Sequence, residues 1–242
     1  MIITSKSNPL IKDIIKLQSD KKFRIAEKSY IVEGIKPVKE CIAAGGEIKK
    51  IFCTEQLSDG FTGAQIVSES VFNAISTEKT PQGILAVVRL PETKIQPPKS
   101  SCILLDRLQD PGNLGTIIRT ANAAGYSEVY TINCTDPYSP KAVRASMSGI
   151  FFVKVFMGTC EEILSALDGV PLISADMAGE DIFEFTPPEK FCLCIGNEGG
   201  GLCSEIKNNS KYNIKIPMHE TCESLNAAVS AGIAMYQLKY RK

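Results

Sequence analysis

"CILLDRLQDPGNLGTIIRTANAAGYSEVYTIN", from Cys102 to Asn133, decides the fold. Its first five residues form an apolar run of strand length, "GNLGTIIRTANAAG" reads as a helix, and "EVYTIN" returns to a strand. A strand, a helix and a second strand joined by short turns place the two strands parallel in one sheet, with the helix crossing over. The alternation continues downstream. "SPKAVRASMSG" reads as a helix beginning near Ser139-Pro140, "FFVKVFM" as a strand, "EEILSALDG" as a helix and "PLISADM" as a strand. "KFCLCIG" and "YNIKIPM" add two strands, and "LNAAVSAGIAMYQLKYR" closes the chain as a helix. This predicts an α/β fold with a mostly parallel sheet and helices on both faces.

Working back from Cys102, "LPETKIQPPKSS" at 90–101 is proline-rich and polar, which marks an interdomain linker. Before it, residues 11–28 carry Ile11, Ile14, Ile15 and Leu17 at helical spacing with lysines between them. "SYIVEG" then reads as a strand, Pro37 to Ala44 as a helix, and "IKKIFCT", "AQIVSES" and "QGILAVVRL" as strands. The expected division is a small α/β domain over 1–90, a linker over 91–101 and the larger domain over 102–242. No internal repeat or low-complexity tract is present.

The 242 residues are 44% hydrophobic and 22% charged, ordinary for a soluble globular protein. No apolar run approaches the roughly 20 residues that span a bilayer, and the start "MIITSKSNPLIKDIIK" lacks the apolar core of a signal peptide. Nine cysteines include no C-x-x-C pair, and His219 is the only histidine. That argues against a metal site and a disulfide framework, and for reduced thiols in a cytoplasmic protein. Net charge is zero but unevenly spread: residues 1–50 hold 11 Lys/Arg against 6 Asp/Glu, and the remainder 16 against 21. The basic first segment fits a polyanion-binding surface and equally a solvated helix face.

In open α/β sheets ligands sit beyond the carboxyl ends of the strands, and three polar stretches fall there. The first, "DRLQDPGNLGTIIRTANAAG" at 106–125, offers Gly112-Asn113 as a turn and a capping side chain, with Arg119 near mid-helix. The second is "GNEGGG" at 196–201. A dinucleotide fingerprint there needs glycine where the chain has Glu198, and a P-loop needs Lys-Ser/Thr where it has Leu202-Cys203. A carboxylate would also repel a phosphate. The turn is therefore either a tight connection or a close backbone approach to a ligand without phosphate. The third stretch is "IPMHETCESLNAAVS" at 216–230, in which Ser224 serves either as the N-cap of the last helix or as a site residue.

Together these stretches resemble the motifs of the SpoU (TrmH) family of RNA ribose 2′-O-methyltransferases, in the SPOUT superfamily. The family patterns are "DPxNxGxxxRTAxAxG", "GxExxG" and "IPMxxxxxSLNxxxAxxI", and the resemblance covers residues 103–238. "KSYIVEGIKPVKECI" and "KTPQGILAVV" are similar, more loosely, to the family's ribosomal-protein-like RNA-binding domain. The resemblance implies a deep trefoil knot around the cofactor pocket, S-adenosylmethionine as cofactor, and a homodimer formed through the carboxyl-terminal domain. It implies cofactor contacts at Gly196, Ile216 and Leu225, with Met218 and Ser174 nearby. It implies an active site of Asn113, Arg119, Glu198, Ser224 and Asn226, with Glu198 orienting Arg119 or loop amides. The implied substrate is RNA, bacterial 23S rRNA ahead of tRNA, with no metal and no membrane. His219 lies inside the third motif and receives no role from it. Two other classes stay open: a Rossmann-type dehydrogenase or class I methyltransferase, whose glycine fingerprint is missing after Cys102–Asp106, and a non-catalytic RNA-binding protein of the same fold.

Overall fold

The computed structural model describes residues 2–241. The chain opens with α1 (Pro9–Ser19) and α2 (Lys21–Ala26), where the sequence suggested one helix. Asp20 is the reason: its extended backbone ends α1, and its carboxylate accepts from the Lys22 and Phe23 amides at 2.7 and 3.3 Å, capping α2. There follow β1 (Ser29–Glu33), α3 (Ile35–Ala43), β2 (Ile48–Cys53), β3 (Gln65–Ile66), α4 (Glu69–Ile75) and β4 (Ile84–Arg89). "AQIVSES" yields only the two residues of β3, because the Ser68 hydroxyl accepts from the Val71 amide and starts α4. These strands form one sheet in the order β1-β4-β2-β3, in which only β2 and β3 run parallel.

The second sheet holds β5 (Cys102–Asp106), β6 (Glu128–Ile132), β7 (Lys154–Gly158), β8 (Leu172–Asp181), β9 (Cys192–Ile195) and β10 (Ser210–Lys215). Its order is β10-β8-β9-β5-β6-β7, and every pairing is parallel. Each residue of β5 and β6 is buried, as expected of strands covered on both faces. Because all strands point one way, the turns after β5, β8, β9 and β10 gather along one edge of the sheet. That places the three polar stretches side by side.

Helix α5 (Pro111–Ala123) is capped by Asp110, not by the Gly112-Asn113 pair. The Asp110 carboxylate accepts from the Asn113 amide at 2.9 Å and from Lys141 Nζ at 2.7 Å. Asn113 is thus inside the first turn, with its side chain free to face the turn after β9. Helix α6 (Pro140–Ala145) lies against the α5 backbone at Gly115, where a Cβ would sit 2.3 Å from the Ala142 carbonyl oxygen. Met147 and Ser148 then adopt left-handed backbone, φ 44° and 70°, which turns Gly149 to within 3.0 Å (virtual Cβ) of the Arg119 Cα. Helices α7 (Cys160–Ala166) and α8 (Ser204–Asn209) complete the crossovers, and α9 (Ala227–Tyr240) packs beside α5. Helix α9 buries Ala231, Ala234, Met235 and Leu238 but leaves Val229, Tyr236 and Tyr240 about half exposed.

Residues 91–101 form an ordered strap over the second sheet. Thr93 Oγ1 donates to the Val155 carbonyl of β7 at 3.1 Å, and Tyr130 Oη donates to the Gln96 carbonyl at 2.8 Å. Lys190 Nζ donates to the Pro98 carbonyl at 2.6 Å, and the Lys99 amide to Glu128 at 2.9 Å. Ile95 packs where a Cβ on Gly158 would be, so that edge of the sheet is partly covered. All nine cysteines are free thiols, and no helix among the described residues is long and apolar enough to cross a membrane.

The α5–α6 contact admits no side chain at Gly115. Gly115→Ala is expected to lower the unfolding free energy by about 1–3 kcal/mol in urea denaturation. Gly60→Ala, with open space around it, should change stability by no more than about 1 kcal/mol.

Candidate active site

The turn after β9 is closed by its own residues. The Asn197 and Gly201 backbones exchange hydrogen bonds of 3.1 and 2.9 Å, and Asn197 Oδ1 accepts from the Gly199 and Gly200 amides at 2.9 and 3.1 Å. A Cβ on Gly196 would fall 2.2 Å from the Gly201 carbonyl carbon, and Gly201 sits at φ 62°. Glycine is required at both positions by the turn itself. The amides of residues 199–201 are already engaged, so this turn is not an anion cradle.

Beneath it, the wholly buried carboxylate of Asp106 ends β5. It accepts from the Cys203 amide at 2.7 Å and meets Arg107 Nε at 3.1 Å. Arg107, at φ 56°, reaches the Gly201 carbonyl with Nη2 at 3.1 Å, and Asn197 Nδ2 donates to the Arg107 carbonyl at 2.8 Å. Asp106, Arg107 and Asn197 fix the turn, and sequence reasoning missed all three. The available signals were a carboxylate ending an apolar strand and an Asn directly before a glycine run.

One carboxylate leaves the turn. Glu198 Oε1 accepts from Asn113 Nδ2 at 2.9 Å, and Asn113 Oδ1 accepts from Asn226 Nδ2 at 3.0 Å. Asn226 Oδ1 in turn accepts from the Ala228 and Val229 amides at 2.9 and 3.3 Å, so Asn226, not Ser224, caps α9. The three polar stretches are therefore joined by one chain of hydrogen bonds. Glu198 contacts Asn113, and the nearby loop amides of Gly199 and Gly200 donate to Asn197 Oδ1.

A cleft of about 200 Å³ opens beside this chain. Gly196, Glu198, Ile216, Met218, Ser224 and Leu225 line it, with Ile195 and Ile214 behind and Asp176 at one side. Ser174 does not line it. Its hydroxyl is buried and bonded to Asn213 and to the Tyr212 carbonyl, pinning β8 to β10, while Ala175, Asp176 and Met177 take the lining positions. Lys207 at 2.8 Å and the Ala178 amide hold the Asp176 carboxyl below its usual range. Apolar walls, a backbone edge and two carboxylates suit a flat, cationic ligand without phosphate, and S-adenosylmethionine with its sulfonium fits that donor set. A larger cavity, about 330 Å³, lies between the domains against Pro37, Val143 and Phe151, and none of the residues expected in the active site or at the cofactor lines it.

Arg119 stands apart. It is exposed, lies outside the cleft lining, and makes no hydrogen bond or ion pair with any described residue. Six residues beyond Asn113, it is roughly 9 Å further along α5 and about 120° round its axis.

Asn197→Ala is expected to weaken S-adenosylmethionine binding by about tenfold in calorimetry with the fold intact, since three turn contacts cost about 1 kcal/mol or more together. The Asp176 pKa is lowered, so its charge persists below the usual carboxylate range and is lost only as pH falls through the lowered value. Binding of the cation is expected to stay flat through the neutral range and to weaken only in acid beyond the usual carboxylate range.

Residues 100–236 match the model of the SpoU rRNA methylase family, and residues 8–86 match that of the MRM3-like substrate binding domain. The chain is 34% identical to the 23S rRNA (guanosine(2553)-2′-O)-methyltransferase RlmP of Bacillus subtilis, over 98% of each chain. It is 27% identical to the 23S rRNA (uridine(2479)-2′-O)-methyltransferase of Streptomyces viridochromogenes, over 86% of this chain and 81% of that protein. Among solved structures it is similar to the AdoMet-bound rRNA methyltransferase of Sinorhizobium meliloti, with a TM-score of 0.89 and 30% identity over 98% of this chain and 97% of that one. A family model matched over more than half of the sequence, and relatives matched end to end, make this chain a member of the SpoU rRNA methylase family.

Proposed function

We propose that the protein transfers a methyl group from S-adenosylmethionine to a ribose 2′-hydroxyl of bacterial 23S rRNA. The observation that carries this reading is the Glu198–Asn113–Asn226 chain of hydrogen bonds at the mouth of an apolar, acidic cleft. It brings residues of all three motifs to one place. The matched relatives that act on 23S rRNA support the substrate.

When bound, the cofactor supplies the methyl group. Gly196, Ile216, Met218 and Leu225 hold it by backbone and apolar contact, and the Glu198 and Asp176 carboxylates favour its positive charge. Asn113 and Asn226, fixed by each other and by the α9 amides, present their remaining polar capacity to the substrate ribose, with Ser224 beside them. Arg119 serves the acceptor. Guanidinium groups stay charged in proteins, so its role is to grip a substrate phosphate and stabilise the developing 2′ oxyanion.

Within one chain Arg119 is exposed and outside the cleft lining, and the site is completed in a homodimer built on the carboxyl-terminal domain. The exposed Val229, Tyr236 and Tyr240 of α9 supply an apolar face for that contact. Residues 1–90 form the RNA-binding domain, 91–101 the connection and 102–242 the methyltransferase domain, with the knot that the resemblance implies. The protein works in the cytoplasm.

Unmodified 23S rRNA incubated with methyl-labelled cofactor should gain one 2′-O-methyl nucleotide, found by mapping. Label on tRNA alone would reject the rRNA assignment. A substrate with a single 2′-deoxy nucleotide at the mapped position should bind but accept no methyl group. Arg119→Ala should cut turnover about a hundredfold or more with cofactor affinity kept, and Arg119→Lys should restore little of it. Light scattering at micromolar concentration should give about twice the 26.3 kDa chain mass.

A further inference from the structure

The two domains meet through a buried ion pair outside the cleft. Arg24 of α2 keeps only 4% of its surface exposed. Its Nε and Nη2 both donate to Asp136 Oδ2, at 2.8 and 2.7 Å. Nη1 donates to the Leu17 and Gln18 carbonyls at the end of α1, at 2.6 and 3.2 Å. Asp136 lies between β6 and α6, and its other oxygen accepts from the Tyr138 amide at 2.9 Å. Next to the pair, the buried rings of Tyr30 and Tyr138 pack with centroids 5.0 Å apart. Arg144 of α6 adds an ion pair with Glu78 and a 3.1 Å hydrogen bond to the Thr77 carbonyl.

All these contacts land on one short segment, residues 136–144. It leads into and forms α6, the helix pressed onto the backbone of α5 at Gly115. The amino-terminal domain is therefore docked on the element that backs the helix carrying Asn113 and Arg119. An exposed ion pair would hold such an angle weakly. A buried guanidinium behaves otherwise: it is either fully bonded in one geometry or left with an uncompensated charge. Intermediate angles between the domains are costly.

We infer that Arg24 and Asp136 are positioning residues that fix the RNA-binding domain at one angle to α5, and so determine which ribose reaches Arg119. This rests on reading residues 1–90 as the RNA-binding domain. The target nucleotide is then chosen by a fixed distance and angle between two rigid bodies, as well as by contacts at the cleft.

The test uses the full chain with Arg24→Met and Asp136→Leu together, which removes both charges without stranding either one. Cofactor affinity and RNA affinity are expected to stay within about threefold of wild type. Turnover at saturating 23S rRNA should fall about tenfold or more, and mapping should find methyl groups on riboses next to the wild-type position. Unchanged turnover with an unchanged map overturns the inference. So does a loss confined to RNA affinity, which would make the pair part of the RNA contact. If the double variant does not fold, Arg24→Lys carries the test, since a single ammonium cannot reproduce the fork: reduced turnover with relaxed site choice supports the inference, and wild-type behaviour overturns it. Wild-type protein that binds 23S rRNA and cofactor but methylates nothing would instead refute the proposed function.

Discussion

A charge buried at the end of the central strand organises the functional edge of this protein. Asp106 has no contact with water, and its carboxylate is tolerated there because Arg107 and the Cys203 amide meet it. Arg107 accepts a left-handed backbone to do so, and its guanidinium and carbonyl then bind Gly201 and Asn197. The turn after β9 is thus held against the turn after β5 at both ends. Glu198 projects from a surface that cannot shift independently, and the bonds from Asn113 to Glu198 and from Asn226 to Asn113 transmit that position to α9.

The elements written in hydrophobic pattern were legible from sequence. The six parallel strands and the α5 and α9 helices follow from apolar runs of the right length, and the parallel sense of the sheet follows from their alternation with helices. Less legible were features set by a single polar side chain. Asp20 splits one apparent helix into two, and Ser68 converts the end of an apparent strand into the start of α4. Asp110 and Asn226 cap the helices that Asn113 and Ser224 seemed suited to cap, because each of the four could serve locally and only tertiary neighbours decide among them. In the site, the motif positions converge except for Arg119. Ser174 directly precedes the lining positions Ala175, Asp176 and Met177, and its hydroxyl is bonded to Asn213 of β10.

The proline-rich segment shows how composition can mislead about mobility. Residues 91–101 carry few apolar side chains, yet hydrogen bonds at Thr93, Gln96, Pro98, Lys99 and Ser101 and the seat of Ile95 on Gly158 hold them to the second domain. Prolines suit such a strap because an extended path needs few backbone donors. The strap adds to the Arg24–Asp136 pair, the Arg144–Glu78 pair and the Tyr30–Tyr138 contact that also join the two domains. A segment that looks like a hinge in the sequence works here as a brace.

The order of strands in the second sheet also has a consequence for how the chain assembles. Strand β5 pairs with β6 soon after it in sequence, but its other neighbour, β9, begins only at Cys192. During synthesis, one edge of this wholly buried strand stays open until most of the domain has left the ribosome. Sheets whose central pairings are this distant fold slowly and expose sticky edges on the way. The cleft takes its lining from β8, the turn after β9 and the stretch from β10 into α9, so the residues that close it are among the last to be synthesised.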